Sequence, residues 1–290
     1  MIKNIFKYWI HVEEPSEKEL KKLEKDFNLD LGLLEDALDP FEVSRAEKED
    51  DNIYFFTRVP LPTKEISLTA PILFVINKKC LITITRQNLP LLNKLIGKDF
   101  GENTKNPINL FMEIFEVINN VYNDSLININ REIWKASTNI EKINSKDIAH
   151  FVEYERITND YLSRLTQNGI VLNQLNNQRY IKLDEEESEL AEDLLLANNQ
   201  LIDISKNSLQ SVKNIRDAYS TLLSNDLNRV IKLLTSLTII LNVPTMIAGL
   251  WGMNVPVPFA KTMYGFEIVL VLVVIISVIL LKIFRKKDWL

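Results

Sequence analysis

The sequence has one cysteine, Cys80, and two histidines, His11 and His150. A single thiol excludes an intramolecular disulfide and fits a reducing compartment. Cys80 sits in a strand-like run, where a buried, inert thiol is expected. Two histidines are too few for a His-rich zinc site. The net charge of −5 leaves no excess of cations for a broad nucleic-acid surface. The part before Pro107 carries no Gly-rich phosphate loop and no nucleophile motif, so neither an enzyme nor an organic cofactor is expected. Residues Met1 to Ile10 lack the apolar core of a signal peptide, which predicts that the front of the chain stays in the cytosol.

Proline and glycine are absent from long stretches, and their distribution divides the chain. Seven of the ten prolines lie at or before Pro107, and the other three are Pro244, Pro256 and Pro258. Between Pro107 and Pro244 there is one glycine, Gly169, which predicts very long helices broken once near that residue. Residues 1–107 are expected to form a cytosolic α/β domain. Within it, Pro15 to Phe27 reads as a helix with Ser16 as N-cap and Glu19 completing a capping box. Ile53–Val59 and Ile72–Ile76 are β-rich runs, and Asn77-Lys78-Lys79 before Cys80–Thr85 marks a hairpin. Residues 108–181, with Phe111, Ile114, Phe115, Ile118, Val121 and Tyr122 at helical spacing, should form long antiparallel helices. From Lys182 to Trp251 the pattern is one helix, about 100 Å long at 1.5 Å per residue. Its acidic start, Asp184 to Glu187, is expected to be a solvated, dipole-favoured first turn.

The end of this helix changes solvent. Residues 182–232 form a polar stalk, whereas 233–251 contain no charge and are long enough for one membrane crossing. A second apolar segment occupies 264–284, after a loop at 252–263. Arg229 and Lys232 precede the first segment, and Lys282, Arg285, Lys286 and Lys287 follow the second, leading into a basic tail at 285–290. The loop holds only Lys261, so both termini are predicted to be cytoplasmic. The fold class that follows is an α+β cytosolic domain, a long α-helical stalk and two transmembrane helices.

Polar residues interrupt the first membrane segment in a regular way. Asp217, Asn228, Ile231, Leu234, Thr238, Asn242, Thr245, Gly249 and Gly252 fall on one helical face. Polar groups in hydrocarbon must face partners or water. A water-filled pathway between several copies would use this face as rings of acceptors, with Ile231 and Leu234 as an apolar gate that closes by dewetting. Tight small-residue packing without a pathway would use it equally well. Hydrated Mg2+ suits the first reading, because it gives up its waters reluctantly. Pro244 would kink the helix.

Trp251-Gly252-Met253-Asn254-Val255-Pro256 stands at the outer end of this helix. Gly-Met-Asn in that place resembles the signature of the CorA-type magnesium transporters. Ile247-Ala248-Gly249, the closing Arg285-Lys286-Lys287-Asp288-Trp289-Leu290, and Trp9-Ile10-His11-Val12 with Leu34-Glu35-Asp36-Ala37-Leu38-Asp39 are also similar to that family. The resemblance implies a funnel-shaped homopentamer in the plasma (inner) membrane that takes up Mg2+. It implies a selectivity filter at Gly252, Met253 and Asn254, pore-facing Asp217, Asn228, Thr245 and Gly249, and a gate at Ile231 and Leu234, to which the stripe itself adds Thr238 and Asn242 as pore-lining candidates. It also implies a regulatory Mg2+ held between cytosolic domains, with Asp193 as one ligand and Glu65 as its candidate partner. Three departures stand out: no acidic residue lies between Asn254 and Glu267, Asn242 replaces an apolar residue that relatives can have, and the partner of Asp193 is not evident. The alternatives are Co2+, Ni2+ or Zn2+ as cargo, or a non-conducting membrane-anchored coiled-coil scaffold.

Overall fold

The protein is described by a computed structural model covering residues 2–6, 8–61, 69–96, 106–138, 140, 143–258 and 262–290. It divides into two units, Met1–Ile215 and Arg216–Leu290.

The first unit is built on a six-stranded sheet. Its strands are β1 (Ile2–Phe6), β2 (Trp9–Glu13), β3 (Arg45–Glu49), β4 (Asn52–Pro60), β5 (Thr69–Ile76) and β6 (Leu81–Thr85), in the spatial order β1-β2-β6-β5-β4-β3. All neighbours are antiparallel except β2 and β6, which run parallel. Strands β4 and β5 are buried along their whole length, which explains their nearly continuous apolar sequences. Successive residues still serve opposite faces. Tyr54, Phe56, Leu73 and Val75 pack under α1 (Glu17–Phe27) and α2 (Leu31–Asp36). Phe55, Phe74 and Val59 face α3 (Pro90–Ile96), α4 (Pro107–Ser137) and α5 (Ser145–Asn176). Phe111 of α4 anchors that side, stacked on Phe55 at 4.8 Å and edge-on to Phe74 at 5.1 Å.

Helix starts follow local chemistry. Ser16 accepts from the Glu19 amide, and Glu19 accepts from the Ser16 amide, closing the expected capping box. The Ser16 bonds hold the Glu19 carboxyl below its usual range. The turn at Asn77 is held by its side chain, which accepts from the amides of Lys79 and Cys80. Cys80 is buried beside it, and burial pushes its thiol pKa up.

The break predicted at Gly169 is not there. Helix α5 runs through that residue, and the helical stretch is interrupted instead between Ser137 and Ser145 and after Asn176. Asn144 caps the start of α5 in a box with Asp147, a signal of the same kind as Ser16 and Glu19. Gly169 has a packing role. A Cβ there would lie 3.0 Å from Nδ2 of Asn198 on α6 (Glu185–Trp251), a buried side chain that donates to the Leu165 carbonyl. A missing methyl therefore lets two helices approach, with no turn required.

Helix α6 spans 67 residues. Its start is the expected acidic turn, with one residue drawn inward. Asp184 caps the helix by accepting from the Glu187 amide, while Glu187 accepts from the Asp184 amide and from the side chain of Asn106, the α4 cap. Asp184, Glu185 and Glu186 are exposed, as expected of a solvated acidic turn, and only Glu187, at 5% exposed, is tied into the fold. The last helix is α7 (Gly265–Lys286).

Candidate cation pathway and cytosolic carboxylates

In the membrane-length part of α6 the covered positions gather on one face, and most of the remaining surface is exposed. Ser236 is buried, and Ile240, Val243, Ile247 and Trp251 are half-buried, at steps of three and four residues. Ile231, Leu234, Thr238, Asn242, Thr245, Gly249 and Gly252 are all exposed. At about 100° per residue, the two sets lie on opposite sides of the helix. Asp217 and Asn228, earlier on the same face, are exposed too.

The polar groups on the exposed face are mostly acceptors. Thr238 Oγ1 donates to the Leu234 carbonyl at 2.7 Å and Thr245 Oγ1 to the Leu241 carbonyl at 2.9 Å. Their protons are therefore spent inside the helix, and their lone pairs remain outward. The side chains of Asp217, Asn228 and Asn242 have no partner among the described residues. Pro244 removes one backbone donor, yet α6 continues to Trp251.

Beyond the helix, Gly252 donates its amide to the Ala248 carbonyl at 2.9 Å, which closes the last turn. A Cβ on Gly249 would meet nothing within 4 Å, and one on Gly252 would only touch backbone oxygens at 3.4 and 3.6 Å. Asn254 is exposed, does not adopt the left-handed cap conformation, and has no side-chain partner among the described residues. Capping α6 is thus not its role here. Its carboxamide is available to something outside the chain, as is that of Asn242.

Apolar exposure completes the picture. Both α6 and α7 contain stretches long and apolar enough to cross a membrane, and none of the 18-residue window in α7 is buried. Such surface on a monomer marks a lipid or protein interface.

In the first unit, Asp193 lines a groove between α4 and α6 together with Glu113, Glu116, Asn119 and Asn120, a cavity of about 270 Å3. The Oδ1 atom of buried Asn119 lacks a hydrogen bond. The spacing of Glu113 and Glu116 on one face of α4 was visible in the sequence, but their nearness to Asp193 depends on tertiary packing. Glu65, the expected partner of Asp193, lies outside the described residues. Among the described residues, no three His, Cys, Asp or Glu side chains gather closely enough to hold a metal ion.

The profile of the CorA-like Mg2+ transporter protein family matches residues 7–286. The cobalt/magnesium transport protein CorA of Methanocaldococcus jannaschii is 28% identical, covering 97% of this chain and 90% of that protein. The magnesium transport protein CorA of Campylobacter jejuni is 25% identical, covering 97% and 91%. The complete structure of the CorA magnesium transporter from M. jannaschii superposes with a TM-score of 0.86 at 26% identity, over 98% of this chain and 92% of that one. With a family match over nearly its whole length, this chain belongs to the CorA-like Mg2+ transporters.

Proposed function

We infer that the chain transports Mg2+ across a membrane, and that the exposed face of α6 lines the path. The observation that carries this reading is the acceptor-bearing stripe on the side of α6 opposite its packed face. A single hairpin cannot enclose a pathway, so several copies must place their stripes around a common axis. The family resemblance points to five. Each exposed residue then becomes a ring. Asn254 offers carboxamide oxygens to the waters of hydrated Mg2+, with Gly252 and Met253 beside it. Thr245, Gly249, Asn242 and Thr238 continue the path, Ile231 and Leu234 form the apolar gate, and Asn228 and Asp217 receive the ion on the cytosolic side. Oxygen acceptors around a still-hydrated ion suit the hard cation, whose first shell is costly to strip.

The membrane is the plasma (inner) membrane with both termini cytoplasmic, since cations flank the cytosolic ends of the apolar segments. Co2+ is a second cargo to test, because the M. jannaschii relative is named for both ions. The acceptors left free on α6 argue against a non-conducting scaffold.

Regulation by cytosolic Mg2+ centres on Asp193. Among the described residues the donors of one chain do not form a complete ligand set, and a carboxylate from a second copy would complete it. Glu113 and Glu116 enrich the groove in negative charge.

The test is metal-dependent flux into liposomes, comparing wild type with Asn254→Gly. The variant removes the side-chain acceptor, and Asn254 holds no cap whose loss would confuse the result. Mass measurement in mild detergent should give five copies for both proteins, with Mg2+ uptake abolished in the variant. Normal uptake by Asn254→Gly overturns the filter assignment. Conduction by a monomer or dimer overturns the ring.

A further inference from the structure

Helix α7 ends in a folded cap whose geometry is complete in this one chain. The Trp289 amide donates to the Phe284 carbonyl at 3.0 Å and the Asp288 amide to the Arg285 carbonyl at 3.3 Å. Asp288 sits in the left-handed region at φ 52°. These are the two crossed bonds and the left-handed residue of a Schellman motif. Its usual apolar contact is also present: the Trp289 ring stacks on Phe284 with centroids 5.6 Å apart and planes 15° off parallel. The tail is therefore pinned against the helix end.

The cations around this cap face away from the packed side. Gly265 and Phe284 are buried, and Val269, Val273, Ile276, Ser277 and Leu280 are half-buried, which defines one covered stripe along α7. Lys282, Arg285 and Lys286 share a face at spacings of three and four residues. At about 100° per residue, that face is opposite the covered stripe. All three side chains are exposed and lack an ion pair among the described residues, as does Lys287. Residues 282–288 thus hold four cations against one carboxylate, Asp288. They directly follow the uncharged stretch Ile268–Leu281.

We propose that the end of α7 is a built anchor for an anionic phospholipid headgroup, with Lys282, Arg285 and Lys286 facing the phosphate and the Trp289–Phe284 cap fixing their depth at the membrane surface. Charge complementarity selects the occupant, because the cytoplasmic leaflet carries anionic lipid that attracts juxtamembrane cations. The indole of Trp289, apolar with one polar edge, suits the headgroup level. The negative end of the helix dipole coincides with the cations and helps hold them there. The inference rests on α7 crossing a membrane.

The full-length chain would be reconstituted in vesicles of equal phosphatidylcholine and phosphatidylglycerol, extracted in mild detergent, and its retained lipid identified by mass. Wild type should retain phosphatidylglycerol several-fold over phosphatidylcholine. The triple variant Lys282→Gln, Arg285→Gln, Lys286→Gln should retain the two equally, with unchanged total lipid and unchanged oligomer mass. Equal retention by wild type overturns the proposal, as does a preference that survives in the triple variant. If the triple variant loses its oligomer, the cations serve contacts between copies and the lipid anchor is rejected. Failure of wild type to retain any lipid refutes the membrane assignment of α7 itself, a separate result.

Discussion

Replacing Gly249 by alanine separates a lining role from a packing role. An added Cβ meets nothing within 4 Å inside the chain. Glycine in a helix interior is about 1 kcal/mol less favourable than alanine, so each chain should gain helix stability from the change. Around a common axis, however, every copy would add a methyl group at the same level of the path. If that narrowing raises the barrier to the hydrated ion by about 1.4 kcal/mol, flux falls roughly tenfold. The assay is Mg2+ entry into liposomes containing a Mg2+-sensitive dye, with thermal unfolding of the same preparation in detergent. The expected result is an unchanged or higher Tm together with at least a tenfold loss of flux. A lower Tm with a broken oligomer would instead assign Gly249 to close helix packing, the second reading of the stripe. Normal flux at normal Tm would refute the placement of Gly249 on the path.

Two further outcomes test the first unit. Asp193→Ala should weaken the protection that Mg2+ gives against proteolysis and leave the pathway open at higher cytosolic Mg2+; unchanged protection and gating would make Asp193 an ordinary surface residue of α6. Asn168→Ala removes the buried acceptor shared by Ser44 at 2.8 Å and Thr57 at 2.6 Å, leaving two hydroxyls without it. At about 1–3 kcal/mol per unsatisfied group, the first unit should lose roughly 2–6 kcal/mol in denaturant unfolding, and a loss under about 0.5 kcal/mol would mean the hydroxyls find other partners.

Local signals in the sequence carried furthest. The Ser16–Glu19 box, the Asn77 turn and the apolar runs of β4 and β5 depend on neighbours a few residues away, and the structure has all of them. The parallel pairing of β2 with β6 could not be found this way. It joins residues about seventy positions apart, and part of what fixes it is a buried contact in which Trp9 Nε1 donates to Thr83 Oγ1 at 2.9 Å with His11 Nδ1 at the same distance from that oxygen. Strand β3 escaped notice because Arg45–Glu49 is a charged edge strand, half-exposed and without an apolar run. Gly169 misled for a physical reason: a missing side chain signals a break and a close approach alike, and only the position of Asn198 tells them apart.

The candidate path was legible because its pattern is written in helical period along one element. What the sequence could not supply was the direction of that face. The stripe might have packed inward against its own chain, and then its amides and hydroxyls would have been satisfied there. It lies on the exposed side instead, with threonine protons returned to the helix backbone and asparagine side chains without partners among the described residues. The apolar residues around it are equally incomplete. Leu233, Leu237, Leu241 and most of α7 are exposed, and burying each such side chain is worth about 1.5–3 kcal/mol. Acceptors and hydrocarbon on one helix cannot both be satisfied by the same surroundings. Lipid satisfies the hydrocarbon and would penalise the acceptors, while water does the reverse. The proposed ring of copies would resolve the conflict, since it would turn the acceptors toward a shared aqueous centre and the apolar flanks toward each other and the bilayer. The gathering of the covered positions on the side opposite the acceptors is therefore the strongest physical reason to propose the ion's route along this helix, with a ring of copies as part of the proposed site.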